Sequence, residues 1–77
     1  MLTSFGRQLR YIRRDNYQLL KDMADLLNVS SSYLSAVEMG KRNVPEGWPD
    51  KIGELYKLDA EYIDKLKTFM ILDLQRK

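Results

Sequence analysis

The sequence contains no cysteine and no histidine. Disulfides, thiolate nucleophiles and the usual zinc ligand sets need one or both of those side chains, so all three are excluded. A chain without cysteine suits a reducing compartment. Long apolar runs are missing too. The longest, FMILDL, is broken by Asp73 and falls far short of the ~20 residues of a membrane span. The opening stretch, MLTSFGRQLRYIRRD, is interrupted by arginines and holds no apolar segment of signal-peptide length. These absences predict a cytoplasmic protein with no metal, no cofactor and no membrane contact. Strand-like alternation, internal repeats and low-complexity tracts are also absent, as are a close carboxylate pair and a phosphate-cradling glycine loop. No catalytic residue is assigned.

What is present fits one domain, expected to cover 1–77 of the 77 residues. Domains of roughly 55–65 residues often fold alone without staples. Net charge is only +2, but it is unevenly spread. Residues 1–45 carry seven basic side chains against four acidic ones, while residues 46–77 carry six against seven. The basic excess in the first half is the faint footprint of a polyanion-binding face, although an ordinary solvated surface would look the same.

Apolar spacing predicts five helices joined by short loops. Thr3 or Ser4 can cap a first helix that runs to about Asp15, with Phe5, Leu9 and Ile12 inward and a break at Asn16-Tyr17. A second helix starts at Leu19 or Leu20 and ends at Leu27, presenting Leu20, Met23 and Leu27 on one face. Ser30 occupies an N-cap position, and a third helix runs from Ser31 to about Met39 before Gly40 stops it. After the loop KRNVPEGWPD, Pro49 fits the first turn of a fourth helix that buries Ile52, Leu55 and Tyr56. Asp59 caps a fifth helix over residues 60–75, with Ile63, Leu66, Met70 and Leu74 along one side.

The joint between helices two and three is the informative feature. Ala24 has almost no side chain where the next helix must cross. Asn28 best tolerates, among non-glycine residues, the left-handed conformation of a sharp turn. Val29 plugs that turn, and Leu34 and Val37 face inward one helical turn apart. Together these positions specify a helix-turn-helix. On a wheel of ~100° per residue, Ser32, Ala36 and Met39 then point outward, with Ser31 and Ser35 on the flank. A small, acid-free helix face can approach the floor of the DNA major groove, and serine hydroxyls can donate to or accept from bases and phosphates alike. Ser30 serves first as a cap, although its backbone could still meet a phosphate.

The stretch MADLLNVSSSYLSAVEMGKRNVP resembles the helix-turn-helix of the phage Cro and repressor class, the Xre family. YLSAVEMGKR is especially similar to that family's ending of the recognition helix, and the likeness covers roughly residues 5–58. The resemblance implies an all-α, five-helix, lambda-repressor-like DNA-binding domain with helix three in the major groove. It places Ser31, Ser32 and Ala36 at base contacts, with Ser35 as a neighbour, and Ser30, Lys41 and Arg42 near phosphates. Tyr33 either meets a phosphate or covers the helix-two seam. Arg13 and Glu38 match a structural ion pair tying helix one to helix three. Two departures stand out. Asn28 replaces the usual glycine of the turn, and Leu19 and Leu20 replace the polar residue that commonly opens helix two. Arg7, Arg10 and Arg14 remain either phosphate contacts or solvated charges.

Residues 59–77 carry more apolar side chains than one packing seam needs. Phe69, Ile71 and Leu72 are the surplus, so a homodimer through the last helix is expected. The function that follows is a sequence-specific, non-enzymatic transcriptional regulator that binds double-stranded DNA, a repressor on an inverted-repeat operator. The alternative is an antitoxin-like or other protein-binding module whose last helix holds a protein partner, such as a toxin or another regulator.

Overall fold

The computed structural model describes residues 1–75, and among them are five α-helices and no strand. The all-α, five-helix expectation is met. The first helix, α1 (Ser4–Asp15), starts where Thr3 Oγ1 accepts from the Gly6 N–H at 2.9 Å, which makes Thr3 the cap. Its first turn holds no acidic residue, although the free amides and dipole of a helix start favour negative charge there. That charge comes from the far end of the chain. Asp73, near the end of α5 (Ala60–Gln75), accepts from the Phe5 N–H at 2.9 Å.

Three non-glycine residues adopt positive φ: Tyr17 (54°), Asn28 (61°) and Lys57 (55°). After α1, the Tyr17 N–H donates to Arg14 O at 3.1 Å and the Gln18 N–H to Arg13 O at 2.9 Å. These are the paired bonds of a Schellman turn, with Tyr17 at its left-handed position. The reversal thus falls on the tyrosine, while the Asn16 side chain donates to Ile12 O at 2.8 Å. Holding a Cβ-bearing residue in that region costs roughly 1–2 kcal/mol. Tyr17 is 97% exposed, so its replacement gives up little packing. Tyr17→Gly is therefore expected to raise stability by about 1 kcal/mol, seen as a higher urea midpoint. A lower midpoint would mean that the tyrosine ring stabilises the turn by more than its backbone strain.

The second and third helices are α2 (Leu20–Leu26) and α3 (Ser31–Glu38). The fourth, α4 (Trp48–Tyr56), has Pro49 in its first turn. Each helix gives at least one fully buried side chain to a common core: Phe5 and Leu9, Met23, Leu34, Ile52 and Leu66. Leu55 is a correction, since it is 38% exposed and not buried. Trp48, Pro49, Ile52 and Gly53 form the buried stripe of α4; Leu55 lies on the Trp48 edge of that stripe, nearly opposite Gly53, where α5 packs. Gly53 also lets α5 approach, because a Cβ there would run into the Ile63 side chain. Leu74 is a second correction at 45% exposure. The inward stripe of α5 runs through Leu66, Phe69 and Met70 and ends on Asp73, the residue that caps α1.

Two tyrosines tie the periphery together. Tyr56 Oη donates to Gln18 Oε1 at 2.6 Å, and Tyr62 Oη donates to Gln8 Oε1 at 3.0 Å. Burial pushes the Tyr56 phenol up from its ordinary value; the Arg13 charge opposes this and Asp22 adds to it. Burial, and then Asp15, raises Tyr62 in the same way. Both phenols therefore remain proton donors throughout the neutral range.

Candidate nucleic-acid interface

The corner between α2 and α3 is built mostly from backbone. Ala24 is 1% exposed, and its carbonyl accepts from the Val29 N–H at 3.0 Å while Asp25 O accepts from the Asn28 N–H at 3.1 Å. This is a second Schellman turn, with Asn28 at the left-handed position and Val29 packed on the core. Ser30 then opens α3, its Oγ accepting from the Tyr33 N–H at 3.0 Å. Leu34 and Val37 are buried and fix which way the helix faces.

The far end of α3 is closed by the same device. The Gly40 N–H donates to Val37 O at 3.1 Å and the Lys41 N–H to Ala36 O at 2.9 Å, with Gly40 at φ 77°. A glycine suits that position because it has no Cβ to clash. Lys41 and Arg42 leave the helix from this turn, and both are exposed.

Glu38, the one acidic residue of α3, is 2% exposed. Its carboxylate accepts a hydrogen bond from Arg13 Nη1, and Arg13 Nη2 reaches Glu38 Oε1 at 3.2 Å. Arg13 is itself only 8% exposed, and its Nη1 also lies 3.4 Å from Met23 Sδ. The backbone of Glu38 is held too, since its carbonyl accepts from Thr3 N at 3.0 Å and Thr3 Oγ1 at 3.1 Å. Gly6 permits that approach: a Cβ on Gly6 would sit 2.8 Å from Glu38 Cα. The pair thus fastens α3 to α1 and removes the helix's negative charge from its outer face.

That outer face is where the sequence-predicted residues meet. Ser31, Ser32, Ser35 and Ala36 line one shallow open depression with Lys41 at its edge. Ser30 is not part of it and spends its hydroxyl on the cap. Arg42 lies to one side, its guanidinium 5.7 Å from the centre of the Tyr33 ring. The Tyr33 ring in turn meets Trp48 edge-on, with centroids 6.3 Å apart. Tyr33 therefore packs against α4 and stands beside Arg42. Sequence reasoning missed Leu20, which it placed inward only. Leu20 packs on the core yet also lines the depression beside the serines. The signal was available, because Leu20 lies one helical turn before Ala24, the crossing residue.

The α2 N-terminus differs from a free anion site. Its Leu19 N–H already donates to Asp22 Oδ2 at 2.8 Å. On α1, Arg10 Nε is 4.0 Å from Glu38 Oε1, and the Arg14 guanidinium stands 5.1 Å from the Tyr11 ring centre. On α5, Ile71 and Leu72 are 51% and 48% exposed, while Phe69 is half-buried and packs on the core.

A packed helix pair with this turn, and with its second helix presented outward, is the helix-turn-helix class of domain. The family described as Helix-turn-helix domain matches residues 4–66, and the chain belongs to it. Neither a search of curated proteins nor one of solved structures returns a match. Domains of this family are not enzymes. No group of three or more His, Cys, Asp or Glu among the described residues could hold a metal ion. No helix among them is long and apolar enough to cross a membrane.

Proposed function

We propose that the protein is a sequence-specific DNA-binding regulator of transcription of the Cro and repressor class. In this reading α3 enters the major groove of an inverted-repeat operator and occupancy blocks transcription. The single observation that carries the reading is the outer face of α3. It is formed by Ser31, Ser32, Ser35 and Ala36, its one carboxylate is buried against Arg13, and Lys41 stands at its rim. An exposed helix normally shows acids and lysines in alternation; a face cleared of acid beside a cation suits a polyanion with readable edges. Ser31, Ser32, Ser35 and Ala36 take the base edges. Lys41, Arg42 and the backbone at Ser30 take phosphates.

Two copies supply the two half-sites, ~34 Å apart on one side of the duplex. The subunits meet through α5, where Ile71 and Leu72 stand about half exposed, while Phe69 on the same helix is turned to the core and backs them. Binding by a second subunit roughly doubles the phosphates engaged and offsets the small net charge of one chain.

Selection from a random duplex pool, run alongside the solution mass, tests this reading. The expected result is an enriched inverted repeat and a dimer mass. Recovery of no duplex by folded protein would overturn it and move the function to a protein partner on α5. Lys41→Ala and Arg42→Ala are each expected to weaken binding to all sequences alike. Each should also reduce the slope of log K against log salt by about 1 for every phosphate the side chain neutralises. A loss confined to one base position would contradict the phosphate assignment.

A further inference from the structure

We propose that Leu20, Ala36 and Met39 form a seat for thymine methyl groups, so that the operator is chosen partly by methyl contact. The inference rests on the DNA-binding reading above and adds a base to it. Three apolar side chains from two helices converge on one open depression: Leu20 from α2, and Ala36 and Met39 from α3 and its cap. Ala36 and Met39 are three residues apart and so share a face. Leu20 is half-buried and held from behind by the core, which gives the seat a fixed wall.

The chemistry of the rim narrows the occupant. Serine hydroxyls turn to suit either a donor or an acceptor, so Ser32 and Ser35 discriminate weakly among base edges. No carboxylate lines the depression, and Lys41 at its edge favours an anionic strand running past it. Among the four bases, thymine alone presents a methyl in the major groove. A cytosine or adenine amino group pressed on the Leu20 and Ala36 side chains would lose water and need a serine hydroxyl to turn toward it, a requirement that methyl does not carry. Thymine is therefore both attracted and selected.

The test uses the duplex enriched by selection and replaces its thymines, one at a time, with uracil. Uracil keeps the hydrogen-bonding edge and removes only the methyl, so the protein is untouched. At least one thymine in each half-site is expected to lose about fourfold in affinity, the factor expected for burying one methyl-sized group. Met39→Ala, checked by circular dichroism and melting, is expected to shrink that thymine–uracil difference at the same position. Leu20→Ala serves as the second variant, with the same expected outcome. Specific binding with no thymine–uracil difference at any position would overturn the methyl seat and leave the DNA reading standing. A difference that survives unchanged in both variants would also overturn it, by placing the methyl elsewhere. Failure to bind any duplex overturns both readings.

Discussion

Arg13→Ala is expected to cost about 3–5 kcal/mol of folding stability, the range for leaving a buried charge without its partner. The substitution strands the Glu38 carboxylate at 2% exposure and removes both guanidinium bonds to it. Arg10 cannot take over fully, because its Nε is 4.0 Å away and its side chain is 57% exposed. Domains of this kind have roughly 5–15 kcal/mol in total, so the variant keeps only a small reserve, and its urea midpoint falls steeply. Arg13→Met combined with Glu38→Leu is expected to recover most of the loss, since packed apolar replacements avoid the desolvation of both ions. A double variant no more stable than Arg13→Ala would mean that the pair contributes net attraction well beyond its desolvation cost.

Ala36→Glu, and separately Ser32→Glu, should abolish specific DNA binding while leaving the fold almost unchanged. Specific sites exceed non-specific ones by about 10³-fold or more, and a carboxylate at the centre of the reading face is expected to erase that ratio. It meets phosphates as a like charge, and among the bases it finds a good donor only at the cytosine and adenine amino groups. Ser32 is exposed and Ala36 half-buried, so neither replacement reaches the core. Melting within a few degrees of the parent is the expected control. Operator affinity preserved in either variant would take α3 out of the recognition role. These variants and Arg13→Ala separate two kinds of failure: one protein loses stability, the others lose only their target.

Much of this was legible in the sequence because it depends on local chemistry. Ala24, Asn28, Val29, Leu34 and Val37 specify the corner through size, backbone preference and helical spacing, all read within 14 consecutive positions. The residues that form the depression were legible for the same reason; for Leu20 the spacing to Ala24 gave the signal, and only its double position, on the core and in the depression, needed the structure. Other features were hidden. Tyr17 takes the left-handed position although Asn16 beside it is the better intrinsic choice, because two backbone bonds to α1 set which residue turns. Leu55 was assigned inward by its hydrophobicity, but the buried side of α4 is centred toward Pro49, Ile52 and Gly53, which leaves Leu55 at its edge and partly exposed. Asp73 looked like an interruption of an apolar run. Its role depends on a partner that no local pattern can indicate.

That partner is the Phe5 amide, 68 positions earlier in the chain. During synthesis at about 5–20 residues per second, the acceptor is made several seconds after its donor. Through that interval α1 has its Thr3 cap but not its carboxylate, while the corner and its paired Arg13 and Glu38 have already been made. Of the described side-chain hydrogen bonds this one spans the greatest sequence separation, so the start of α1 gains its full cap only once the end of α5 has been made.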